Sequence, residues 1–287
     1  AGDATAGRVV IATNAPILDR GGYFARVTAQ RFYTLAFRTP EPMVGAMLLS
    51  TDEPSRSLRD ATDHEGRPAL LVGGNGHVTG RTRSPRARLD EIRAWTRDTF
   101  GELVETHAWS AQDYVPHHAL PFAGPLLPGR DDVLFAGGYS KWGMTNGVAA
   151  AHVLASVWTG EAPRWSAAYA TWSPRELRGL PSAARANSEV GLAMGAGWVK
   201  PLLRPGNDAP GEGEGRVHRA GLLPEAISTT DGVVRRVSGV CTHLGGVVTW
   251  NDAERSWDCP LHGSRFDRDG EVLEGMATCG LTRRPTP

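Results

Sequence analysis

The spacing of hydrophobic residues predicts a series of β-strands in the first half of the chain. Between residues 24 and 38, apolar side chains tend to fall on one side of an extended chain, which is the period-two pattern of an antiparallel strand. These side chains are Val27, Ala29, Tyr33, Leu35 and Phe37. Short apolar runs predict further strands: buried ones at 8–12 and 133–136, two in the same sheet at 46–50 and 69–72, and one at 103–109.

Two segments carry the start and stop residues that are typical of helices. Ser84 followed by Pro85 indicates a helix N-terminus, because serine caps the first N–H groups and proline fits the first turn. Gly101 is expected to end this helix. A second helix is predicted from residue 145 to 159, where Gly160 stops it. The predicted buried face of the first helix consists of Leu89, Ile92, Thr96 and Phe100.

Two short segments near the C-terminus each contain one cysteine and one histidine. The first, Cys-Thr-His-Leu-Gly, holds Cys241 and His243, and the second, Cys-Pro-Leu-His-Gly-Ser, holds Cys259 and His262. Two thiolates on one iron and two imidazoles on the other are the ligands of a Rieske [2Fe–2S] cluster. The alternative is a Cys2His2 zinc site. Zinc fingers pair Cys with Cys and His with His along the chain, whereas here the order is mixed.

Composition and charge narrow the possible functions. The 287 residues carry 31 basic and 31 acidic side chains, so no nucleic-acid partner is expected. No membrane span is expected either, because no apolar stretch approaches the ~20 residues that a spanning helix needs. Of the three cysteines, only Cys279 lies outside the two metal-binding segments. No intramolecular disulfide is therefore available, which favours a reducing compartment and a cytoplasmic location.

A glycine-rich turn joins the predicted strand at 133–136 to the second helix. A helix N-terminus offers free N–H groups and the positive end of a dipole, and glycines before it let a flat or anionic ligand come close to the backbone. A reduced flavin carries negative charge on its pyrimidine edge and suits such a site. The pattern by itself also suits a helix that packs on a strand through small residues, so both interpretations stay open.

The segment VLFAGGYSKWGMTNG at 133–147 resembles the C-terminal flavin motif of the D-amino-acid-oxidase-like (DAO) family of FAD-dependent oxidoreductases. Further stretches match in the same order: VVIATNAP at 9–16, RSLR at 56–59, GGNGHVTG at 73–80 and WSAQDY at 109–114. More narrowly, the chain is similar to a bacterial branch of the family with a C-terminal Rieske domain. The resemblance implies an FAD site lined by Thr13, Asn14, Gly137, Gly138, Trp142, Gly143, Met144, Thr145 and Asn146.

The resemblance implies an α+β fold, in which an α/β flavoprotein portion precedes a small all-β Rieske domain. We expect the C-terminal part of a DAO-like domain at 1–162, a helical tail and linker at 163–204, and the Rieske domain at 205–287. The family begins with a Rossmann unit that carries G-x-G-x-x-G. The glycines at 74–80 imitate this motif, but Arg-Thr-Arg-Ser-Pro follows them instead of an apolar helix start. We therefore expect an N-terminally truncated chain without its Rossmann unit.

The resemblance also implies an enzyme. The expected substrate is a small-molecule amine or amino acid that gives a hydride to FAD, and the [2Fe–2S] cluster then passes electrons singly to an acceptor protein or a quinone. No catalytic base is assigned. The alternative is a stand-alone, ferredoxin-like Rieske electron-transfer module on an incomplete, non-catalytic flavin-domain scaffold.

Departures from the disulfide-bridged Rieske proteins predict a lower cluster potential than theirs. Those proteins have two further cysteines where this chain has Gly246 and Leu261, and a tyrosine where it has Phe266. Hydrogen bonds to the sulfurs raise the potential, so the missing tyrosine hydroxyl lowers it, although Ser264 is retained. Met276 replaces the proline that is usual in the loop covering the cluster.

The sequence does not assign a role to seven other polar residues. They could face the substrate or the flavin, or they could belong to the surface of a loop. They are Gln112, Asp113, Tyr114, His117 and His118, between a strand and a proline-rich loop, and His77 and Arg81 at the end of a strand.

Overall fold

The computed structural model describes residues 3, 5–18, 20–203 and 208–285. A mixed portion of helices and sheets, residues 9–160, is called the N-terminal half below, and a small all-β unit, residues 208–285, is called the C-terminal domain. The predicted α+β fold class is confirmed. The predicted boundary at 204–205 lies outside the described residues. No helix in the described part of the chain is long and apolar enough to cross a membrane.

The N-terminal half contains two sheets and two helices. Its strands are β1 (Val9–Asn14), β2 (Val27–Arg38), β3 (Met47–Leu49), β4 (Arg56–Thr62), β5 (Pro68–Val78), β6 (Val104–Pro116), β7 (Phe122–Pro125) and β8 (Val133–Gly137). Its helices are α1 (Pro85–Phe100) and α2 (Gly143–Thr159). The strands predicted from hydrophobic spacing are confirmed. Strand β4 was not predicted, because only one of its large side chains is apolar.

The larger sheet is antiparallel, with strand order β3-β4-β5-β2-β6. Strand β2 lies inside it and pairs with β5 and β6 along its length. Alternate side chains of a strand share a face, so Tyr33 and Leu35 of β2 pack with Leu89 and Ile92 of α1. Helix α1 begins as predicted, because the Ser84 hydroxyl accepts a hydrogen bond from the Ala87 N–H at 3.0 Å.

The smaller sheet has the order β1-β8-β7, with β1 parallel to β8. The prediction that β1 is buried was wrong: Ile11 is buried, but Val9 and Val10 are 49% and 42% exposed. The reason is that β1 is an edge strand among the described residues. Helix α2 packs on β7 and β8 through Ala150 and Leu154, and it begins two residues before the predicted start.

Helix α3 (Leu180–Val199) connects the N-terminal half to the C-terminal domain. Strands β9 (Gly215–Ala220), β10 (Leu223–Thr230) and β11 (Val233–Ser238) form one antiparallel sheet. Strands β12 (Thr249–Asn251), β13 (Ser256–Asp258), β14 (Arg265–Phe266) and β15 (Val272–Glu274) form another. The two Cys/His segments are the loops between β11 and β12 and between β13 and β14.

A charged network joins the C-terminal domain to the large sheet. Arg31 of β2 is 2% exposed, and its guanidinium donates to Glu254 at 2.7 Å and to Glu274 at 2.5 Å. Arg265 donates to the same two carboxylates at 2.9 and 2.7 Å and to Asp258 at 2.9 Å. Because two cations and three anions interlock across the boundary, the network fixes how the domain sits on the sheet.

Candidate iron–sulfur site and flavin loop

The two ligand loops close in the same way. In the first loop, the Cys241 N–H donates to Gly246 O at 2.8 Å and the Gly245 N–H donates to Cys241 O at 3.0 Å. In the second loop, the Cys259 N–H donates to Ser264 O at 2.8 Å and the Gly263 N–H donates to Cys259 O at 3.1 Å. Gly245 and Gly263 have φ of 72° and 76°, which favours glycine. Each loop therefore presents its cysteine and histidine on one tight turn.

The loops bring the four predicted ligands together. Cys241 and Cys259 are each 2% exposed and His262 is 7% exposed, and the rings of His243 and His262 lie 5.2 Å apart. Backbone N–H groups stabilise negative charge on both sulfurs. Those of His243 and Leu244 bond to the Cys241 sulfur, and those of Leu261 and His262 bond to the Cys259 sulfur.

The protonation states suit iron ligation. Burial, together with the nearby His243 and Arg81, lowers the pKa of His262 to about 4, so the imidazole is neutral at pH 7. Its buried Nδ1 has no hydrogen-bond partner among the described residues. The hydrogen bond between the two cysteines lowers the pKa of Cys241 to about 7, and the same bond together with burial raises the pKa of Cys259, so the two thiols share a proton. Neutral imidazole is the form that binds a metal, and iron would displace the shared thiol proton, so the side chains fit a [2Fe–2S] cluster.

Within residues 3–285, apart from the undescribed gaps, no group of three or more His, Cys, Asp or Glu side chains is arranged to hold a single metal ion. In a Rieske cluster each iron takes two protein ligands.

Gly246 and Leu261, which stand where the disulfide-bridged Rieske proteins have their two further cysteines, lie against each other. A Cβ atom at Gly246 would be 2.6 Å from Leu261 Cγ and 3.0 Å from Cys259 Sγ. The Leu261 side chain therefore fills the space beside the cluster loops. Ser264 has no accessible surface; its hydroxyl bonds to the Cys241 sulfur and accepts from the Ala277 N–H at 3.0 Å.

The predicted flavin residues begin at the end of β1. The Asn14 side chain donates to Asp113 at 3.0 Å, and its oxygen accepts from the Gly138 N–H at 3.4 Å. Asp113 also accepts from the backbone N–H of Lys141 and from that of Tyr114 at 2.7 Å. Asp113 therefore ties the end of β1 to the glycine-rich turn. The Thr13 hydroxyl instead donates to Ala15 O at 2.6 Å.

The start of α2 is open enough for a ligand. Trp142, at the N-cap, makes no side-chain capping bond, so the first N–H groups are not closed by a side chain. A Cβ at Gly143 would meet only the Tyr139 ring, at 3.9 Å, and one at Gly147 would meet nothing within 4 Å. Together with the approach of Gly137 and Gly138 to Asn14, this fits a flavin at the helix start.

Three predicted flavin-lining residues differ in exposure and contacts. Met144 is 90% exposed, and the Thr145 hydroxyl donates to Trp142 O at 3.1 Å. The Asn146 side chain is partly buried; its amide N–H donates to Tyr139 O at 3.1 Å and its amide oxygen accepts from the Tyr169 hydroxyl at 3.1 Å. Asn146 therefore holds the glycine-rich turn through Tyr139.

The other polar candidates belong to strands and core contacts. Gln112, Asp113 and Tyr114 lie within β6, so the prediction that they follow the strand was wrong. His77 bonds to the Tyr33 hydroxyl at 2.9 Å. Burial lowers the pKa of His77, as it does for the adjacent histidines that follow β6. Those two are His117, whose Nε2 lies 3.1 Å from the Thr28 hydroxyl, and His118, whose ring lies 4.9 Å from that of Phe122.

Side chains of the N-terminal half cover the cluster loops, a role that the sequence analysis did not predict for any of them. Phe24 lies edge-on to both imidazoles, with ring centroids 5.5 Å from His243 and 5.1 Å from His262. Gln112 and Arg81 contact the second ligand loop through the carbonyl oxygens of Gly263 and Pro260. These contacts join residues more than 150 positions apart, where no local pattern links them.

Comparison with known protein families assigns both parts of the chain. The profile of the FAD dependent oxidoreductase (DAO) family matches residues 1–157, and that of the Rieske [2Fe-2S] domain matches residues 211–282. The chain belongs to the DAO family and carries a Rieske domain. Its two parts imply FAD and a [2Fe–2S] cluster as cofactors.

Individual relatives cover different parts of this DAO–Rieske chain. YhfW of Bacillus subtilis (strain 168), which is named as a Rieske 2Fe-2S iron-sulfur protein, is 34% identical over 271 residues, 94% of this chain and 53% of YhfW. The cytochrome b6-f complex iron-sulfur subunit 1 of Nostoc sp. (strain PCC 7120) is 54% identical over 45 residues, 16% of this chain and 25% of the subunit. The chain thus spans about half the length of YhfW.

A solved structure aligns with part of the chain. The glycine oxidase from Bacillus cereus ATCC 14579 aligns over 54% of this chain and 43% of its own, with 15% identity and a TM-score of 0.42.

The Ser264→Ala variant is expected to lower the cluster potential of this DAO–Rieske protein. The variant removes one hydrogen bond to the Cys241 sulfur, and such bonds stabilise the more negative, reduced cluster. A loss of about 0.5–1.5 kcal/mol corresponds to roughly 20–60 mV for one electron. A mediated redox titration measures it. An unchanged potential would contradict the hydrogen bond, and Ser188→Ala on the exposed side of α3 is the control.

The Asp113→Ala variant is expected to bind FAD about tenfold more weakly, the effect of losing one charge-assisted hydrogen bond. Without the carboxylate, Asn14 and the Lys141 N–H lose their common acceptor, and the glycine-rich turn loosens. Flavin fluorescence during titration with FAD measures the affinity. The exposed Asp98→Ala on α1 is the matched control. Equal affinity in both variants would refute this role of Asp113.

Proposed function

We propose that this protein oxidises an amine or an amino acid and passes the electrons singly to an external acceptor. Cys241 and Cys259 would hold one iron of the cluster, and His243 and His262 the other. The FAD ring system and ribityl chain would lie along the residues that the resemblance indicates. These are Thr13, Asn14, Gly137, Gly138, Trp142, Gly143, Met144, Thr145 and Asn146. We further propose that residues 1–162, 163–204 and 205–287 are the flavin domain, the linker and the Rieske domain.

The two cofactors divide the chemistry between two electrons and one. When bound, FAD accepts a hydride from the carbon that bears nitrogen, and the [2Fe–2S] cluster exchanges electrons one at a time. The residues of the chain would bind the flavin and orient it. The open start of α2 provides N–H groups and a positive dipole end for a negatively charged ring edge, and Asp113 holds the adjoining turn in place.

One packing contact carries this proposal. Ala15, which follows Asn14, lies in the same buried cluster as Tyr114 and as Met276 of the C-terminal domain, with Phe24 packed against it. A residue next to the proposed flavin-binding Asn14 and a residue near the iron–sulfur ligand loops therefore belong to one group of buried apolar side chains. This proximity supports electron transfer within one chain over a flavin domain and a Rieske module that act separately.

The acceptor and the compartment are also proposals. We propose a protein or a quinone as acceptor, because the cluster delivers single electrons. We propose a cytoplasmic location, because the three cysteines are unpaired in the structure and thiols stay reduced in the cytosol.

Anaerobic titration with amines and amino acids tests the function. The protein at its full natural length, loaded with FAD, is mixed with each compound, while flavin absorbance and the EPR signal of the reduced cluster are followed. We expect a compound of this class to bleach the flavin and produce the cluster signal. In the Cys241→Ser variant, the flavin should bleach without the cluster signal. If dithionite reduces the cluster but no amine or amino acid does, the substrate class is wrong.

A further inference from the structure

The second ligand loop depends on the N-terminal half for its hydrogen bonds. The Gln112 side-chain amide of β6 donates to Gly263 O at 2.8 Å, and Arg81 Nε donates to Pro260 O at 2.8 Å. Gly263 follows the ligand His262, and Pro260 follows the ligand Cys259. Each bond therefore fixes a peptide next to a ligand, and both donors come from outside the Rieske domain.

The donors are themselves held. The Gln112 amide also donates to the Tyr114 hydroxyl at 3.0 Å, and its oxygen accepts from the Thr79 hydroxyl at 2.7 Å. Arg81 pairs with Glu189 of α3 at 3.0 Å. Because their partners fix both side chains, little conformational entropy is lost when they bind the loop.

The two parts of the chain approach each other closely at two glycines. A Cβ at Gly80 would lie 2.8 Å from Pro260 N, and one at Gly263 would lie 2.3 Å from Ala29 Cβ. Gly80 and Gly263 both have positive φ, of 72° and 76°. Such packing has the density of a protein interior.

Phe24 covers the histidines from the same side. Its ring lies edge-on to His243 and His262, at interplanar angles of 79° and 75°. This arrangement is favourable for aromatic rings and restricts both imidazoles. Phe24 also packs against a group of buried apolar side chains that includes Met276. Met276 belongs to the loop whose Gly275 lies against Ser264.

We propose that the N-terminal half completes the iron–sulfur site, with Phe24, Arg81 and Gln112 as positioning residues for its ligands. The inference rests on the cluster assignment made under the proposed function. Gln112 and Arg81 hold the second loop at its two ends, and Phe24 holds the imidazoles. The Arg81 charge near the site stabilises the more negative, reduced cluster.

This inference is tested on the full chain without FAD or substrate. A redox titration measures the potential, and EPR is recorded after reduction with dithionite. Failure of this inference is therefore distinguishable from failure of the proposed substrate class. The Arg81→Gln variant should shift the ratio of reduced to oxidised cluster about tenfold toward the oxidised form, or 59 mV for one electron. The Gln112→Ala and Phe24→Leu variants should change the EPR g-values and the nitrogen couplings of the two imidazoles.

Matched controls lie on the same half, away from the loops. They are Arg93→Gln, which affects an ion pair with Glu105, Gln30→Ala on β2, and Phe100→Leu beside Trp95. All three should keep the native potential and spectrum. Wild-type potential and spectra in all three test variants would overturn the proposal. Should Arg81→Gln fail to fold, Arg81→Lys decides, because lysine keeps the charge but lacks the Nε donor to Pro260 O: native g-values together with native nitrogen couplings would overturn the positioning role of Arg81.

Discussion

The Cys241→Ser variant is expected to lose the [2Fe–2S] cluster completely. Cys241 is buried, and its sulfur accepts backbone N–H bonds and the Ser264 hydroxyl bond, which together stabilise a thiolate. A serine oxygen is smaller and is not deprotonated near neutral pH, so one iron would lack a ligand. Iron content and visible absorption of the purified protein measure the loss.

The chain supplies the matched control for this prediction. Cys279 is exposed, and its carbonyl oxygen accepts a hydrogen bond from the Thr242 hydroxyl at 2.6 Å. Serine keeps that carbonyl, so Cys279→Ser should retain all of its iron. Equal iron in the Cys241→Ser variant and the wild type would contradict the ligand assignment, as would loss of iron from Cys279→Ser alone.

The Arg31→Met variant is expected to unfold about 3 kcal/mol more easily than the wild type, because it leaves partly buried carboxylates without one of their two cations. Arg31 is 2% exposed, whereas its partners Glu254 and Glu274 keep 27% and 35% of their side-chain surface. The expected loss therefore lies at the lower end of the roughly 3–5 kcal/mol that is usual when one partner of a buried ion pair is removed. Urea denaturation measures the change, followed separately by tryptophan fluorescence and cluster absorbance because two domains need not unfold together.

A surface ion pair provides the comparison. Arg93 pairs with Asp90 and Glu105 at 2.7 Å within the N-terminal half, but its side chain is 37% exposed. Arg93→Met should therefore cost less than about 1 kcal/mol. If Arg31→Met were no more harmful than Arg93→Met, the charged network would not be what holds the domain on the sheet.

Local sequence patterns predicted those parts of the fold that depend on neighbouring residues. The Ser84-Pro85 start of α1 and the glycine end of α2 follow from capping chemistry within one turn. The two ligand loops follow from Cys and His spacing in five or six residues. Period-two alternation identified β2, because each strand face has its own environment.

The remaining features depend on contacts that no local pattern encodes. Strand β4 has a mostly polar sequence, and its pairing with β5 places it in the sheet. The exposure of β1 depends on its position at a sheet edge. Arg31 reaches Glu254 across 223 positions, and a single arginine in a strand does not indicate which domain it will meet. For the same reason, the local sequence around Gln112 does not indicate its contact with Gly263.

The most direct test of the account is EPR of the full chain, purified without oxygen and reduced with dithionite, together with measured iron and zinc. The account predicts about two irons per chain and a reduced [2Fe–2S] signal with couplings to two histidine nitrogens, as mixed Cys/His ligation requires. Zinc in place of iron, or a cluster signal without nitrogen couplings, would contradict the assignment of Cys241, His243, Cys259 and His262 as ligands.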